Sequence, residues 1–165
     1  MYRHIFATQM NVEVKIEEAI QQKKFQSEFH KAQVNLLYTA AWINQQSTQA
    51  LKPFNISVQQ FNILRILRGM NPEPATVKLL TERMIDKMSN ASRLVEKLKQ
   101  KGFVERVECE HDRRRVNISI TEKGLEILAD ASTALESASL KQMSFISEEE
   151  AKILSEVLDR IRTGE

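Results

Sequence analysis

The hydrophobic pattern of this chain switches from helical to strand-like spacing at a single place, and that switch restricts the folds it can adopt. Apolar residues recur at helical spacing before Phe103 and after Ile120. Between these points two alternating runs, 103–107 and 116–120, flank a polar stretch. The pattern predicts one antiparallel hairpin with a charged tip inside an otherwise helical chain.

The composition favours a mainly helical globular protein. Four Gly and three Pro in 165 residues leave few positions for turns. A hydrophobic share of 42% is ordinary for a domain with a sizeable core. No stretch approaches about eighteen consecutive apolar residues, and the first residues lack a signal-peptide pattern. We therefore expect a cytoplasmic protein without a membrane partner.

Cysteine and histidine are too few and too scattered to suggest an enzyme. Cys109 is the single cysteine, which excludes an internal disulfide and paired-cysteine motifs, and its two glutamate neighbours disfavour a reactive thiolate. His4, His30 and His111 lie far apart, and neither a phosphate-binding Gly loop nor a nucleophile with its base is recognisable. We expect no catalytic residues, no metal and no cofactor.

Capping residues divide the helical part into segments. The stretch Asn11–Ala50 contains no Gly or Pro and predicts one or two long helices. A short helix at about 76–83 is expected to meet the next helix across a very short turn. The other helices are predicted to begin at capping residues, namely Ser57 with Gln60, Asp86, Thr121, and Ser147 with Glu150.

This order of elements is that of a winged helix-turn-helix. In that fold the second helix of the pair enters the major groove of DNA and the hairpin flanks it. Charge is distributed accordingly, because Lys78–Lys123 has 12 Lys and Arg against 8 Asp and Glu, whereas Gly124–Glu165 has 4 against 9. The middle of the chain is therefore the part that suits a polyanion.

The helix after Asp86 presents side chains that suit DNA on its outward face. Ala91, Leu94, Val95 and Leu98 form its apolar face. Short polar and basic side chains that reach base edges and phosphates remain outside: Ser89, Asn90, Ser92, Arg93 and Lys97. The alternative is an ordinary solvated face of an amphipathic helix.

The hairpin tip favours DNA contact over that alternative. Asp112, Arg113, Arg114 and Arg115 place three guanidinium groups at one turn. Those groups repel one another unless an anion lies nearby, and arginine at a hairpin tip suits a narrow minor groove.

Three sequence motifs resemble those of MarR-type transcriptional regulators. They are LVEKLKQKGFVER at 94–106, DRR at 112–114 and ITEKG at 120–124, and the resemblance covers about Val58–Leu128. It implies a homodimer that binds double-stranded DNA and often responds to an aromatic or phenolic small molecule. It further implies that Asp112 holds the wing and Arg114 enters the minor groove.

The same resemblance implies that residues 89–93 bind in the major groove, although Met88 and Asn90 stand where the family often has small or hydroxylated residues. An effector crevice between the dimerisation and DNA-binding parts is also implied. Tyr38 and Trp42, one helical turn apart, are candidates to line it, although such a pair is more often part of ordinary core packing.

The predicted fold is therefore mainly α with a small two-stranded β-wing, a winged helix-turn-helix with long N- and C-terminal dimerisation helices. We expect N-terminal dimerisation helices in 1–55, the DNA-binding domain in 56–123 and C-terminal dimerisation helices in 124–165. The predicted function is repression from a pseudo-palindromic operator. The alternative is a winged-helix module for protein or RNA contacts without operator binding.

Overall fold

A computed structural model describes residues 14–109 and 112–163, and only the backbone of 107–109 and 112–116. These residues form two compact units, one ending at Ile43 and one beginning at Asn44. The elements of the described part are, in order, α1 (Ile16–Ala19), α2 (Glu28–Leu51), a 3-10 turn (Lys52–Phe54), α3 (Val58–Met70), β1 (Ala75–Thr76), α4 (Val77–Arg83), α5 (Ala91–Gln100), β2 (Val104–Cys109), β3 (Asp112–Ile120), α6 (Glu122–Met143) and α7 (Glu148–Thr163).

The N-terminal region contains the predicted long helix and one short helix. α2 spans 24 residues, whereas α1 is a single turn. The chain leaves α1 through Gln21, whose φ of 55° lies in the left-handed region and cannot continue a helix. Within this unit the ammonium group of Lys31 lies 2.5 Å from a carboxylate oxygen of Glu17. That ion pair ties α1 to the first turn of α2.

The hydrophobic core of the second unit lies between the helices and the sheet. Residues from α3, α4, α5, the strands and α6 are buried together, among them Ile63, Leu64, Leu80, Leu98 and Leu128, each with no exposed surface. α3 provides the largest apolar face of this core. Its position under α5 fixes where the outward face of α5 lies.

The sheet has three strands in the order β1-β3-β2, all antiparallel. The predicted hairpin is confirmed as β2 and β3, with Val104 opposite Ile120 and Arg106 opposite Ile118. The sequence did not predict β1, which pairs Ala75 with Ile118. β1 has only two residues, between Pro74 and α4, and a run this short cannot show the alternating apolar and polar pattern that predicts a strand.

Most predicted caps are confirmed. Ser57 and Gln60 form the reciprocal capping box of α3, with hydrogen bonds of 3.1 Å in both directions. The Thr121 hydroxyl accepts from the Gly124 amide at 3.0 Å, which begins α6. The Ser147 hydroxyl accepts from the Glu150 amide at 3.2 Å, and the Glu150 carboxylate accepts in return from the Ser147 amide at 2.7 Å.

The end of α5 and the start of α6 pack directly against each other. α5 ends at Gln100 and is followed by Gly102, where φ is 73°; the amides of Gly102 and Phe103 donate to the carbonyls of Lys99 and Leu98, respectively. The Phe103 carbonyl then accepts from the Thr121 amide at 3.1 Å. The Lys-Gly motif at 101–102 and the Thr-Glu-Lys-Gly motif at 121–124 therefore form one junction, where the end of α5 meets the start of α6.

Large apolar side chains lie at the surface of the terminal helices. On α2 they include Phe29 and Leu37, which are 88% and 65% exposed. On α6, α7 and the turn between them they include Leu140, Phe145 and Ile161. No helix in the described ranges is long and apolar enough to cross a membrane.

Candidate nucleic-acid interface

The loop that precedes α5 is held together by Asp86. Its carboxylate accepts from the Ser89 hydroxyl at 2.7 Å and from the Met88 amide at 3.1 Å. The Asp86 carbonyl also accepts from the Ser89 amide at 3.3 Å. The hydrogen bond from Ser89, followed by that from the Met88 amide, lowers the pKa of Asp86. The carboxylate therefore stays ionised and fixes a compact turn.

The prediction that Asp86 caps α5 is wrong. α5 begins at Ala91, and its cap is Asn90, whose side-chain oxygen accepts from the Arg93 amide at 3.0 Å. Consequently the connection between α4 and α5 spans residues 84–90 and is longer than the very short turn predicted. Asp and Asn are both good caps. Asn90 is the N-cap of α5 because the Asp86 carboxylate already accepts hydrogen bonds from Met88 and Ser89 within its own turn.

The outward face of α5 carries the predicted polar and basic side chains. Ala91, Val95 and Leu98 are buried, whereas Ser92, Arg93 and Lys97 are exposed. A surface depression of about 320 Å³ lies over this face and is lined by Gln59, Ser89, Asn90, Arg93, Leu94 and Lys97. The structure thus brings four of the five predicted helix residues, Ser89, Asn90, Arg93 and Lys97, to one depression, whereas Ser92 is exposed outside its lining; Ser89 is half-buried and bonded to Asp86.

Asn62 supports this surface and was not predicted from the sequence. It is 6% exposed on α3, and its side-chain oxygen accepts from the Ile85 amide at 3.0 Å. This bond attaches the loop before α5 to the core helix beneath it. The partner is 23 residues away, so no local pattern in the sequence could have indicated it.

An ion pair joins α5 to the wing. The Arg106 guanidinium on β2 lies 3.3 Å from the Glu96 carboxylate on α5. Both side chains are partly exposed, so the pair contributes orientation more than stability. Lys123 links α6, rather than the wing, to the C-terminal end of α5, because its ammonium group donates to the Lys101 carbonyl at 3.0 Å and lies over the Phe103 ring.

The side chains of the predicted wing residues lie outside the described part of the structure. The backbone of Asp112 pairs with Cys109 at the end of the hairpin, after an irregularity in register between Glu108 and Cys109. Asp112, Arg113, Arg114 and Arg115 all belong to β3, so the prediction that they form the turn of the hairpin is wrong: β2 extends to Cys109 and β3 begins at Asp112. The roles assigned to these four side chains remain predictions.

Tyr38 and Trp42 line a shallow cleft of about 230 Å³ in the N-terminal unit, with Val14, Ala19 and Thr39. They are 45% and 42% exposed, respectively. The pair is therefore not buried in the core of this unit, and its apolar rings remain accessible within one chain.

Comparison with known proteins identifies the family. A model described as the MarR family matches residues 54–115, from the end of the 3-10 turn into β3. Over 126 residues the chain is 30% identical to an uncharacterised HTH-type transcriptional regulator of Bacillus cereus, an alignment that covers 72% of this chain and 78% of that relative. The chain belongs to the MarR family. Members of this family and the relatives are DNA-binding transcriptional regulators and not enzymes.

Solved structures show the same fold for this MarR-family chain. A putative MarR-like regulator from Bacillus cereus superposes with a TM-score of 0.74 at 19% identity, covering 83% of this chain and 97% of that one. The organohalide-sensing regulator RdhR in its 2,4-dichlorophenol-bound form gives a TM-score of 0.77 at 22% identity, covering 87% and 86%. These matches confirm the predicted winged helix-turn-helix.

Proposed function

We propose that this MarR-family protein is a homodimeric repressor that binds a pseudo-palindromic operator in double-stranded DNA. The observation that supports this proposal best is the exposed face of α5, where Asn90, Arg93 and Lys97 line a depression and the helix itself is packed on the core through Ala91, Val95 and Leu98. Such a helix enters the major groove, and its N-terminal residues contact base edges. Arg93 is the side chain that suits a bidentate contact with guanine.

In this proposal the wing contacts the flanking minor groove. Arg114 inserts there, Asp112 holds the wing by pairing with a basic side chain, and Arg113 and Arg115 contact phosphates. The position of the wing supports its assignment to the flanking minor groove, because the ion pair between Glu96 and Arg106 links β2 to α5. A wing held to the recognition helix moves with it into adjacent grooves.

The proposed dimer forms through the terminal helices, 1–55 and 124–165, while 56–123 bind DNA. Exposed apolar side chains on α2 and on α7 support this division, since soluble monomers rarely leave large contiguous apolar surfaces in water. A two-fold dimer presents two recognition helices to half-sites about one helical turn apart, roughly 10 bp.

An effector is the remaining part of the proposal. RdhR senses organohalides and has been crystallised with 2,4-dichlorophenol. The cleft beside Tyr38 and Trp42 offers aromatic faces to a small aromatic ligand. We propose that such a ligand binds there and releases the protein from DNA.

The test is DNase footprinting and gel shift on the DNA upstream of the protein's own gene, with scrambled DNA as the comparison. Two protected half-sites on one face of the duplex are the expected result. Binding without sequence preference, or to a single half-site, would contradict the proposed operator geometry and would favour a module for protein or RNA contacts.

A matched pair of variants assigns the two contact regions. Arg114→Ala should weaken operator binding and reduce the slope of log K against log salt by about 0.9 for each phosphate that the guanidinium neutralises in the wild-type complex. Arg93→Ala should change the preference among operator sequences at a cost of about 1–3 kcal/mol for a bidentate pair with a base. An unchanged affinity and salt slope for Arg114→Ala would refute the wing assignment.

A further inference from the structure

Two large apolar side chains stand exposed in the loop that leads into the recognition helix. Met88 is 95% exposed and Ile85 is 81% exposed. Among the described residues Met88 is the most exposed of the large apolar side chains, which makes the position unusual. Neither side chain contributes to the core of the free protein.

The backbone that carries Met88 is nevertheless well fixed. Its amide donates to the Asp86 carboxylate, and the next residue, Ser89, donates to the same carboxylate through its hydroxyl. Three residues before Met88, the Ile85 amide is attached to the buried Asn62. An apolar side chain on a rigid, polar-anchored turn points to a contact made with something outside the chain.

The position of Met88 defines that partner. It lies two residues before Asn90, the N-cap of α5, and directly before Ser89, which lines the depression over the proposed base-reading face. This surface also carries Arg93 and Lys97, whose charge suits DNA. The apolar group that DNA presents in the major groove is the 5-methyl group of thymine.

We infer that Met88 contacts a thymine 5-methyl group in each operator half-site and so selects thymine over cytosine at that base pair. This inference rests on the proposed operator binding and adds a residue to it. The flexible methionine side chain adapts its shape to a methyl group on a base edge. The contact needs no hydrogen bond, so a polar side chain is not required at this position.

The test removes the methyl group and nothing else. Duplexes that bind the dimeric protein are enriched from a randomised pool, and the thymines of the enriched sequence are replaced by deoxyuridine at symmetric positions, one pair at a time. For wild type, one pair should lower affinity by about fourfold per half-site, the factor expected for one methyl group returned to water.

Three variants separate the contribution of Met88 from that of Ile85. In Met88→Ala the thymine-to-deoxyuridine affinity ratio at that position should fall to about one, whereas Met88→Leu should retain most of it. Ile85→Ala, which removes the other exposed apolar side chain of the loop, should keep the wild-type ratio. Thermal melts should show no loss of folding for Met88→Ala, because the side chain is not buried.

The experiment distinguishes failure of the Met88 contact from failure of operator binding itself. If no sequence is enriched, operator binding itself fails and the inference fails with it. If a sequence is enriched but its methyl sensitivity is absent, persists in Met88→Ala, or disappears in Ile85→Ala instead, operator binding stands and the role of Met88 is refuted.

Discussion

The junction between the recognition helix and α6 makes a strong prediction about Gly124. A Cβ atom added at Gly124 would lie 2.1 Å from the Phe103 carbonyl oxygen and 2.8 Å from a side-chain carbon of Ile120. An ordinary van der Waals separation needs at least 3.4 Å, so the first turn of α6 must move by about 1.3 Å away from the Phe103 carbonyl. That movement also stretches the hydrogen bond from the Thr121 amide to the same carbonyl.

Gly124→Ala should therefore destabilise the protein even though alanine is the better helix former. Overpacking costs about 1–3 kcal/mol and a weakened hydrogen bond about 1 kcal/mol, while the alanine gains about 1 kcal/mol of helix propensity. The net loss is about 2 kcal/mol, which corresponds to a Tm lower by about 4–8 °C in a chain of this size.

Two other glycines supply matched controls. Gly69 lies in the last turn of α3 with nothing within 4 Å of an added Cβ, so Gly69→Ala should raise stability by about 0.5 kcal/mol. A Cβ added at Gly102 would lie in ordinary contact with the Lys123 side chain at 3.9 Å, but the φ of Gly102 is 73°. Gly102→Ala should therefore cost about 1 kcal/mol through backbone strain alone, and Gly102→Asn should cost less.

The assay is denaturant unfolding of wild type and the four glycine variants at one protein concentration, since the stability of the proposed dimer depends on concentration. The expected order of stability, from highest to lowest, is Gly69→Ala, wild type, Gly102→Asn, Gly102→Ala and Gly124→Ala. If Gly124→Ala were as stable as wild type, the close approach of α6 to the Phe103 carbonyl would be wrong.

Three further substitutions address the site and the proposed dimer. Asn62→Ala should cost about 1–3 kcal/mol in denaturant unfolding, because the Ile85 amide loses its acceptor, and in gel shift it should also weaken operator binding. Ser89→Ala should raise the pKa of Asp86 towards its ordinary value in an NMR titration, because the hydrogen bond from Ser89 is the largest cause of the lowered pKa. In wild type, the ionised Asp86 carboxylate stabilises the fold at pH values above its ordinary pKa, and this stabilisation is lost as the pH falls through the lowered pKa. Leu37→Asp should convert the proposed dimer to monomer in sedimentation velocity, and an unchanged dimer would remove α2 from the interface.

Local signals in the sequence predicted much of the fold. Ser57 with Gln60, Thr121, and Ser147 with Glu150 are caps whose partners lie three residues away, so the bond is contained in the pattern itself. The hairpin followed from alternation over two runs long enough to show it. Hydrogen bonds between residues this close in sequence can be predicted without the tertiary structure.

The errors arose where a tertiary contact decided the outcome. Asp86 and Asn90 are both suitable caps, and only the three-dimensional turn assigns the Asp86 carboxylate to Ser89 and leaves α5 to Asn90. β1 exists because Ala75 pairs with Ile118, which lies far along the chain on another strand. Asn62 is likewise a polar residue whose reason for burial lies on another element.

The cap assignment also limits what Asn90 can do in DNA recognition. Its side-chain oxygen already accepts from the Arg93 amide, which leaves one lone pair on that oxygen and the amide nitrogen for a base. A bidentate contact with adenine uses both the oxygen and the nitrogen, so with the helix capped it requires that oxygen to accept twice. In the proposed complex the amide nitrogen of Asn90 donates to a base acceptor in the major groove, while discrimination between bases falls to Arg93 and to the apolar contact of Met88. Polar anchoring of the loop and base selection are thus competing uses of the same few side chains.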